Sequence, residues 1–247
     1  MLDYFEYKYK KKLKSINIKK ELKFIHYKGF IESVGKTNDN GVGDTLQNEL
    51  GIPRNNKKDP DFLYGFKPIE LKSRRRFNKK RNMKNTSLIT IFTTKMDDPI
   101  STSNIFNKYA YPSNGKLSLK CDIVMGEYKK QGFKLDINND KLIIKEQKNG
   151  QICSFDYVVL LRAMKKKLNY LLLVKADNKI ISQNEYFKYD EAWLYSHFRK
   201  DKFTNLLDDK KIIANFRMSS HKDHNFAFRI REEDLEILYT KKKKYYP

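Results

Sequence analysis

The sequence predicts an α/β protein in which a mixed central β-sheet is flanked by helices. Some segments place apolar residues at helical spacing, and others have the short, β-branched and aromatic composition of strands. The two kinds of segment alternate without a fixed period, which favours α/β over a repeat array. Hydrophobic residues make up 39% of the 247 residues, enough for a sizeable core in one large domain or in two lobes.

Helices are predicted where apolar residues recur every three or four positions. From Leu2 to about Lys23 they recur loosely among lysines, which indicates one or two amphipathic helices. Val42 to Leu50 predicts a short helix that ends at Gly51. Further helices are predicted at Ser101–Tyr109, Phe155–Leu168, Glu191–Leu207 and Glu232–Leu238.

Strands are predicted where β-branched and aromatic residues lie between turn residues. The run Asn138-Asn139-Asp140 predicts a hairpin turn inside an antiparallel meander over residues 117–146. The predicted strands are Asp61–Pro68 with its turn, Ile69–Ser73, Ser87–Thr94, Leu117–Glu127, Phe133–Ile137, Leu142–Glu146, Tyr170–Val174, Tyr186–Tyr189, Ile212–Met218 and Phe226–Ile230.

The charge of the chain excludes a neutral scaffold. There are 52 Lys+Arg against 30 Asp+Glu, a formal charge of +22, so a polyanionic partner is expected. Cys121 and Cys153 lie 32 residues apart without a CxxC motif, which fits a reducing cytoplasm and argues against a thiolate zinc site. The most apolar runs have five residues, far fewer than the ~18–20 that span a bilayer, so no membrane partner is expected.

The motif that points to chemistry is Pro60-Asp61 followed by Ile69-Glu70-Leu71-Lys72. In a strand, residues i and i+2 share a face, so Glu70 and Lys72 project together. A turn through Gly65 can fold Asp61 back beside Glu70. Two carboxylates and one ammonium then converge at the head of a very basic segment. A surface ion-pair ladder across a hairpin is the structural alternative.

This arrangement suits phosphodiester hydrolysis. Two carboxylates can hold Mg²⁺, which accepts a phosphate oxygen and lowers the pKa of a bound water. Lys72 can position the attacking water and add positive charge at the transition state. Without a cation, the two carboxylates repel each other, so one of them should have a raised pKa.

Several separated motifs together resemble one family, the MvaI/BcnI-type restriction endonucleases of the MutH-like branch of the PD-(D/E)xK nucleases. The resemblance covers roughly residues 35–232. The motifs that carry it are Gly41–Gly51, Pro60-Asp61, Ile69–Lys72, Ser87–Thr93, Phe155-Asp156, Lys166–Tyr170, Tyr186–Tyr189 and Ala227–Ile230.

The resemblance implies a MutH-like restriction endonuclease fold with two lobes around a DNA cleft, a catalytic lobe at about 1–110 and a recognition lobe at 111–247. It implies a monomeric type II enzyme of the prokaryotic cytoplasm that cuts double-stranded DNA at a short GC-containing, CC-N-GG-like site and leaves a 5′-phosphate and a 3′-hydroxyl. The cofactor would be Mg²⁺, with Mn²⁺ as a substitute. A methyltransferase acting on the same site, but not in complex, is the implied companion.

Residue by residue, the resemblance makes Asp61 and Glu70 metal ligands, the Leu71 carbonyl a further ligand and Lys72 the catalytic lysine. Gln47 departs from the family pattern, which usually has a glutamate at this helical position to orient the metal shell. Either activity is reduced, the glutamate is dispensable, or the residue was changed deliberately.

The resemblance also places base-reading residues near the end of the chain, where arginine pairs with guanine and asparagine with adenine. Asn215 stands where relatives tend to have an acid, which leaves the base preference open. His221 and His224 form only half of a possible zinc site. The predicted DNA-binding residues are Asn215, Arg217, His221, His224 and Arg229, which read bases, and Arg74, Arg75 and Arg76, which lie in the phosphate-binding stretch Lys72–Lys84.

Two other functions remain open at this stage. A MutH-like repair nickase would cut one strand at a partner's command. A DNA- or RNA-binding protein with a decayed site would bind without cutting, and the neutral Gln47 is the best argument for it.

Overall fold

The chain divides into two compact units in the computed structural model, which describes residues 13–34, 40–53, 59–78, 83–85, 87–94, 99–113, 115–220 and 226–246. Unit 1 comprises residues 1–86, 166–198 and 239–247, and unit 2 comprises residues 87–165 and 199–238. The chain therefore passes between the units four times, which differs from a single boundary near residue 110. The assignment of catalytic and recognition roles to two lobes stays a prediction.

The helices are α1 (Ile18–Tyr27), α2 (Gly41–Glu49), α3 (Pro99–Tyr109), α4 (Tyr157–Leu168), α5 (Lys200–Asp208) and α6 (Glu232–Leu235), which continues into a 3₁₀ turn at Glu236–Leu238. The strands are β1 (Ile31–Glu32), β2 (Phe62–Tyr64), β3 (Lys67–Arg75), β4 (Phe77–Asn78), β5 (Met83–Lys84), β6 (Ile89–Thr94), β7 (Tyr111–Ser113), β8 (Lys116–Ile123), β9 (Phe133–Asn138), β10 (Lys141–Glu146), β11 (Gly150–Asp156), β12 (Tyr170–Ile181), β13 (Asn184–Phe198), β14 (Ile212–Ser219), β15 (Phe226–Ile230) and β16 (Tyr239–Tyr246). No described helix is long and apolar enough to cross a membrane.

Unit 1 is built on a mixed six-stranded sheet in the order β1-β13-β12-β3-β2, with β16 also paired to β13. The β12–β3 pair is parallel and the other pairs are antiparallel. Helix α1 buries Ile18, Leu22 and Ile25, which lie on one helical face, and Asn17 caps its first turn. Leu46 of α2 lies in the same apolar core, which fixes α2 against the sheet.

Unit 2 contains a five-stranded sheet in the order β6-β15-β14-β8-β7 and a three-stranded meander in the order β11-β10-β9. Its core is rich in aromatic rings that pack edge to face, among them Phe133, Phe216 and Phe226. The predicted hairpin turn is confirmed between β9 and β10, where Asn139 and Asp140 have positive φ angles of 46° and 60°.

Two predictions of local structure are wrong. The helix expected over Glu191–Leu207 is strand β13 up to Phe198, and only α5 after it is helical. The strand over Leu117–Glu127 does not open the meander, because β8 pairs with β14 and β7. Strand β16, which contains Lys241–Lys244, was not predicted. Of the first predicted helix, residues 2–12 lie outside the described residues.

Candidate functional site

The β2–β3 hairpin brings Asp61 beside Glu70. Gly65 forms the turn with a positive φ of 61°, and Phe62 pairs with Ile69 across the two strands. The Asp61 N–H donates to the Ile69 carbonyl at 2.9 Å. The Leu71 N–H donates to Asp61 Oδ2 at 2.7 Å, which fixes the carboxylate at the strand.

Glu70 and Lys72 project from the same face of β3, as the strand period requires. Lys72 Nζ lies 2.7 Å from Glu70 Oε1. The Glu70 side chain is only 3% exposed, whereas the Lys72 side chain is 24% exposed. The prediction that the two acids and the lysine converge is therefore consistent with the geometry, and the pair is too buried for a surface ladder.

The ionised form of Asp61 is destabilised, as expected for a buried acid beside a second acid. Burial, followed by the charge of Glu70, raises the pKa of Asp61 from 3.8 to about 6, although the Leu71 N–H opposes the shift. Burial alone would lower the pKa of Lys72, but the Glu70 carboxylate outweighs it and the Lys72 pKa is raised. Lys72 is thus an ammonium ion at neutral pH.

Two residues near Glu70 received no role from sequence reasoning. Lys167, near the end of α4, places its Nζ 3.5 Å from Glu70 Oε2. The Tyr239 hydroxyl is buried and has no hydrogen-bond partner among the described residues, and burial together with the Glu70 charge raises its pKa. The sequence signal for Lys167 was its place in the Lys166–Tyr170 motif, whereas Tyr239 gave no signal.

The residues present fit a hard divalent cation. Glu70 Oε2 is buried and accepts no hydrogen bond from any described residue, and a cation beside it would also relieve the repulsion that raises the Asp61 pKa. The described residues contain no cluster of three His, Cys, Asp or Glu that could hold a metal ion. The remaining ligands would therefore have to be backbone carbonyls, such as that of Leu71, or water.

The sequence as a whole was compared with known proteins. The sequence model of the MvaI/BcnI restriction endonuclease family matches residues 19–239. The chain belongs to the MvaI/BcnI restriction endonuclease family. No curated protein matches the chain.

Two solved structures resemble this member of the MvaI/BcnI family. One, "Restriction endonuclease MvaI-cognate DNA substrate complex", has a TM-score of 0.77 and 20% sequence identity and covers 99% of each chain. The other, "Restriction endonuclease MvaI in the absence of DNA", has a TM-score of 0.46 and 20% identity and covers 92% of this chain and 95% of that chain. The first likeness shows a shared fold and confirms the predicted α/β class.

Gln47, the residue that departs from the family pattern, lies half-buried on α2. This helix packs closely on β3, since a Cβ at Gly43 would lie 3.3 Å from Ser73 Oγ. Among the described residues, Gln47 makes no hydrogen bond to Asp61, Glu70 or Lys72. Its predicted role in the metal shell stays a prediction.

The three arginines that follow the site on β3 are bound to groups of this chain. Arg75 forms a double hydrogen bond to Glu185 with both distances at 2.7 Å. Arg76 contacts Asp190 at 3.0 Å and Glu191 at 2.7 Å. Arg74 is buried and donates to the Asn85 carbonyl. Their predicted contact with DNA phosphates remains a prediction, and it would compete with these bonds.

Three of the predicted base-reading residues, Asn215, Arg217 and Arg229, lie on one face of the five-stranded sheet of unit 2. Asn215 and Arg217 lie on the same face of β14 as Ile213. Arg229 pairs with Ile213 across β14 and β15, so its side chain lies on this face too. Asn215 is buried, and Arg217 is exposed. Asp122 of β8 lies opposite Asn215 and was missed by sequence reasoning. His221 and His224 lie outside the described residues.

Arg229 has an unsatisfied donor on this face. Its guanidinium donates to the Leu88 carbonyl at 3.3 Å, but its buried Nε has no hydrogen-bond partner among the described residues. Burial and the charge of Arg217 lower its pKa, and the Asp122 carboxylate opposes them.

Proposed function

We propose that this member of the restriction endonuclease family hydrolyses double-stranded DNA with Mg²⁺ as cofactor, or Mn²⁺ in its place, at the Asp61–Glu70–Lys72 site. The substrate is a short GC-containing, CC-N-GG-like sequence, and the products carry a 5′-phosphate and a 3′-hydroxyl. The observation that carries the proposal is the buried Glu70–Lys72 pair at 2.7 Å with Asp61 tied beside it. This pairing of two acids and a lysine serves phosphodiester hydrolysis because both the nucleophile and the developing charge need a cation.

We infer a role for each residue from its position in the site. Asp61 and Glu70 would hold the cation, which when bound lowers the pKa of water and offsets phosphate charge. The Leu71 N–H holds the Asp61 carboxylate in place. Lys72, as an ammonium ion, cannot accept a proton, so its role is to orient the attacking water and stabilise negative charge. Lys167 adds a second ammonium near Glu70.

DNA recognition is proposed for the polar face of unit 2, with Arg217 and Arg229 as guanine readers. The buried Arg229 Nε without an acceptor supports this role, because an unpaired buried donor costs free energy that a bound ligand could recover. The net charge of +22 supports binding to phosphates. The enzyme is proposed to act as a monomer, beside a methyltransferase that modifies the same site without forming a complex.

The direct test is digestion of plasmid or phage DNA with Mg²⁺. Discrete linear fragments are expected, and Lys72→Ala should abolish them. Lys145→Ala is the matched control, because Lys145 is also paired to a carboxylate, Asp136, at 2.6 Å but lies in unit 2. Intact DNA at low salt would contradict the proposal. Nicked circles would instead indicate the repair nickase. A gel shift of the same size with and without Mg²⁺, and no cleavage, would indicate a protein that binds DNA without cutting it.

A further inference from the structure

The five-stranded sheet of unit 2 has one apolar face and one polar face. On β14, Ile212, Ala214, Phe216 and Met218 are buried in the core, while Arg217 on the opposite face is exposed. On β8, Cys121 and Ile123 face the core, so Asp122 faces the other way and is exposed. Strand β7 pairs only with residues 116–118 of β8, so it does not reach Asp122. The carboxylate is therefore open to a ligand that lies on the polar face.

Asn215 holds this carboxylate but has no donor left for a ligand. Its Nδ2 donates to the Cys121 carbonyl at 3.0 Å and to Asp122 Oδ1 at 2.5 Å, which uses both amide hydrogens. Its side chain lies beneath the surface, since Asn215 is 6% exposed. The second carboxylate oxygen, Asp122 Oδ2, accepts no hydrogen bond from any described residue. Asn215 thus fixes one oxygen of Asp122 and leaves the other available.

We propose that Asp122 is a specificity-determining residue that accepts a hydrogen bond from a cytosine amino group, and that Asn215 is the positioning residue that holds it. This inference rests on the proposed function. A carboxylate only accepts hydrogen bonds, and cytosine offers only the N4 donor in the major groove. Adenine also offers a donor, but its neighbouring N7 acceptor repels a carboxylate.

The neighbouring guanidinium groups fit the same base pair. Guanine presents two acceptors, N7 and O6, which suit Arg229, and its paired cytosine presents the donor that suits Asp122. Asp122 and Arg229 lie near each other, because Asp122 pairs with Asn215 of β14 and Arg229 pairs with Ile213, two residues along the same face of β14. An acidic side chain beside a polyanion is otherwise unfavourable, so a contact to a base gives this carboxylate a reason to face outward.

A simpler role for Asp122 would be to offset the repulsion between Arg217 and Arg229. The two roles give different results in an experiment that resolves base positions. Loss of charge balance would weaken binding of all sequences alike, whereas loss of a base contact would change the preference at one position only.

The experiment is a binding selection from randomised duplexes, made with the full chain carrying Lys72→Ala so that bound DNA is not cut. Adding Asp122→Ala should lower the preference for cytosine at one position by roughly tenfold. The base preferences at the other positions should stay within about twofold of those of the Lys72→Ala protein. Asn215→Ala should lower the preference for cytosine at the same position. Asp136→Ala, a carboxylate on another strand of unit 2, is the matched control and should change no position.

A second substitution tests the direction of the hydrogen bond. Asp122→Asn keeps an oxygen for the Asn215 donor and turns its amide hydrogens toward the base. The preference at that position should therefore move from cytosine to a base with an acceptor, which is adenine, guanine or thymine.

Three results would overturn the inference. An unchanged cytosine preference in Asp122→Ala, with normal thermal unfolding, would remove the base contact but leave the proposed function standing. A uniform loss at every position would show that Asp122 only balances charge. Absence of any sequence preference in the parent protein would contradict the proposed function itself, and the inference with it.

Discussion

Replacement of Asp61 by asparagine should raise the free energy of unfolding at neutral pH. This gain relative to the parent protein should become smaller as the pH falls. Asp61 is held by the Leu71 N–H and lies beside the buried Glu70, so its charged form is destabilised. Asparagine has the same shape and keeps an oxygen for the Leu71 N–H. The substitution therefore removes the charge with little change in packing.

The magnitude follows from the pKa of Asp61, which is about 6 in the folded protein against 3.8 as the ordinary value. Between these values the folded state binds more protons than the unfolded state, so the free energy of unfolding falls as the pH rises through 6. The difference of about two pKa units corresponds to roughly 3 kcal/mol. Asp61→Asn lacks this titration, so its stability relative to the parent should rise by about this amount between pH 4 and pH 8.

The assay is urea denaturation of both proteins at several pH values without divalent cations. Asp136→Asn is the control, because a hydrogen bond from Lys145 lowers the pKa of Asp136, and its substitution should cost stability at neutral pH. Added Mg²⁺ should stabilise the parent at pH 8 more than Asp61→Asn, since binding to the folded state alone raises its stability. A stability difference that does not vary with pH would refute the electrostatic account of the site.

Three further outcomes are expected. Cleavage at sub-saturating Mg²⁺ should fall as the pH drops through about 6, because a protonated Asp61 is a poor cation ligand; a pH–rate profile that stays flat to pH 5 under these conditions would contradict this. Arg75→Met should lower the free energy of unfolding by about 2–4 kcal/mol, since it removes the arginine partner of the buried Glu185 carboxylate, and a smaller salt slope of DNA binding would show that Arg75 also contacts a phosphate. Gly43→Val should destabilise by about 1–3 kcal/mol in thermal unfolding, and Ser73→Gly should recover part of the loss.

Local patterns predicted the hairpin that carries the site. The alternation of Glu70 and Lys72 and the turn at Gly65 depend only on nearby residues, so strand geometry sufficed. The approach of Lys167 and Tyr239 depends on the parallel pairing of β3 with β12 and on the return of β16 to the sheet. Sequence patterns do not determine such long-range pairing.

The failure at Glu191–Leu207 has a physical cause. The register between β12 and β13 shifts at Lys175/Ala176, and Asp190 is the extra residue of this bulge. Beyond the bulge, Ala192, Tyr195 and Phe198 are all buried, and their spacing of three residues suggests a helix. Tertiary pairing then overrides the local preference.

Like charges in the basic stretch after Lys72 predict a phosphate-binding surface, and this stays a prediction. In the structure, Glu185, Asp190 and Glu191 on β13 form ion pairs with Arg75 and Arg76. Those acids lie more than 100 residues away in the chain, so only the sheet pairing reveals them.

If Asp61, Glu70 and Lys72 hydrolyse DNA at one defined sequence, run-off sequencing of the fragment ends after digestion of a known genome with Mg²⁺ will reveal that sequence. All ends should fall within one short GC-containing sequence, carry 5′-phosphates and disappear with Lys72→Ala. Ends scattered without a common sequence, or ends that persist with Lys72→Ala, would contradict this proposal.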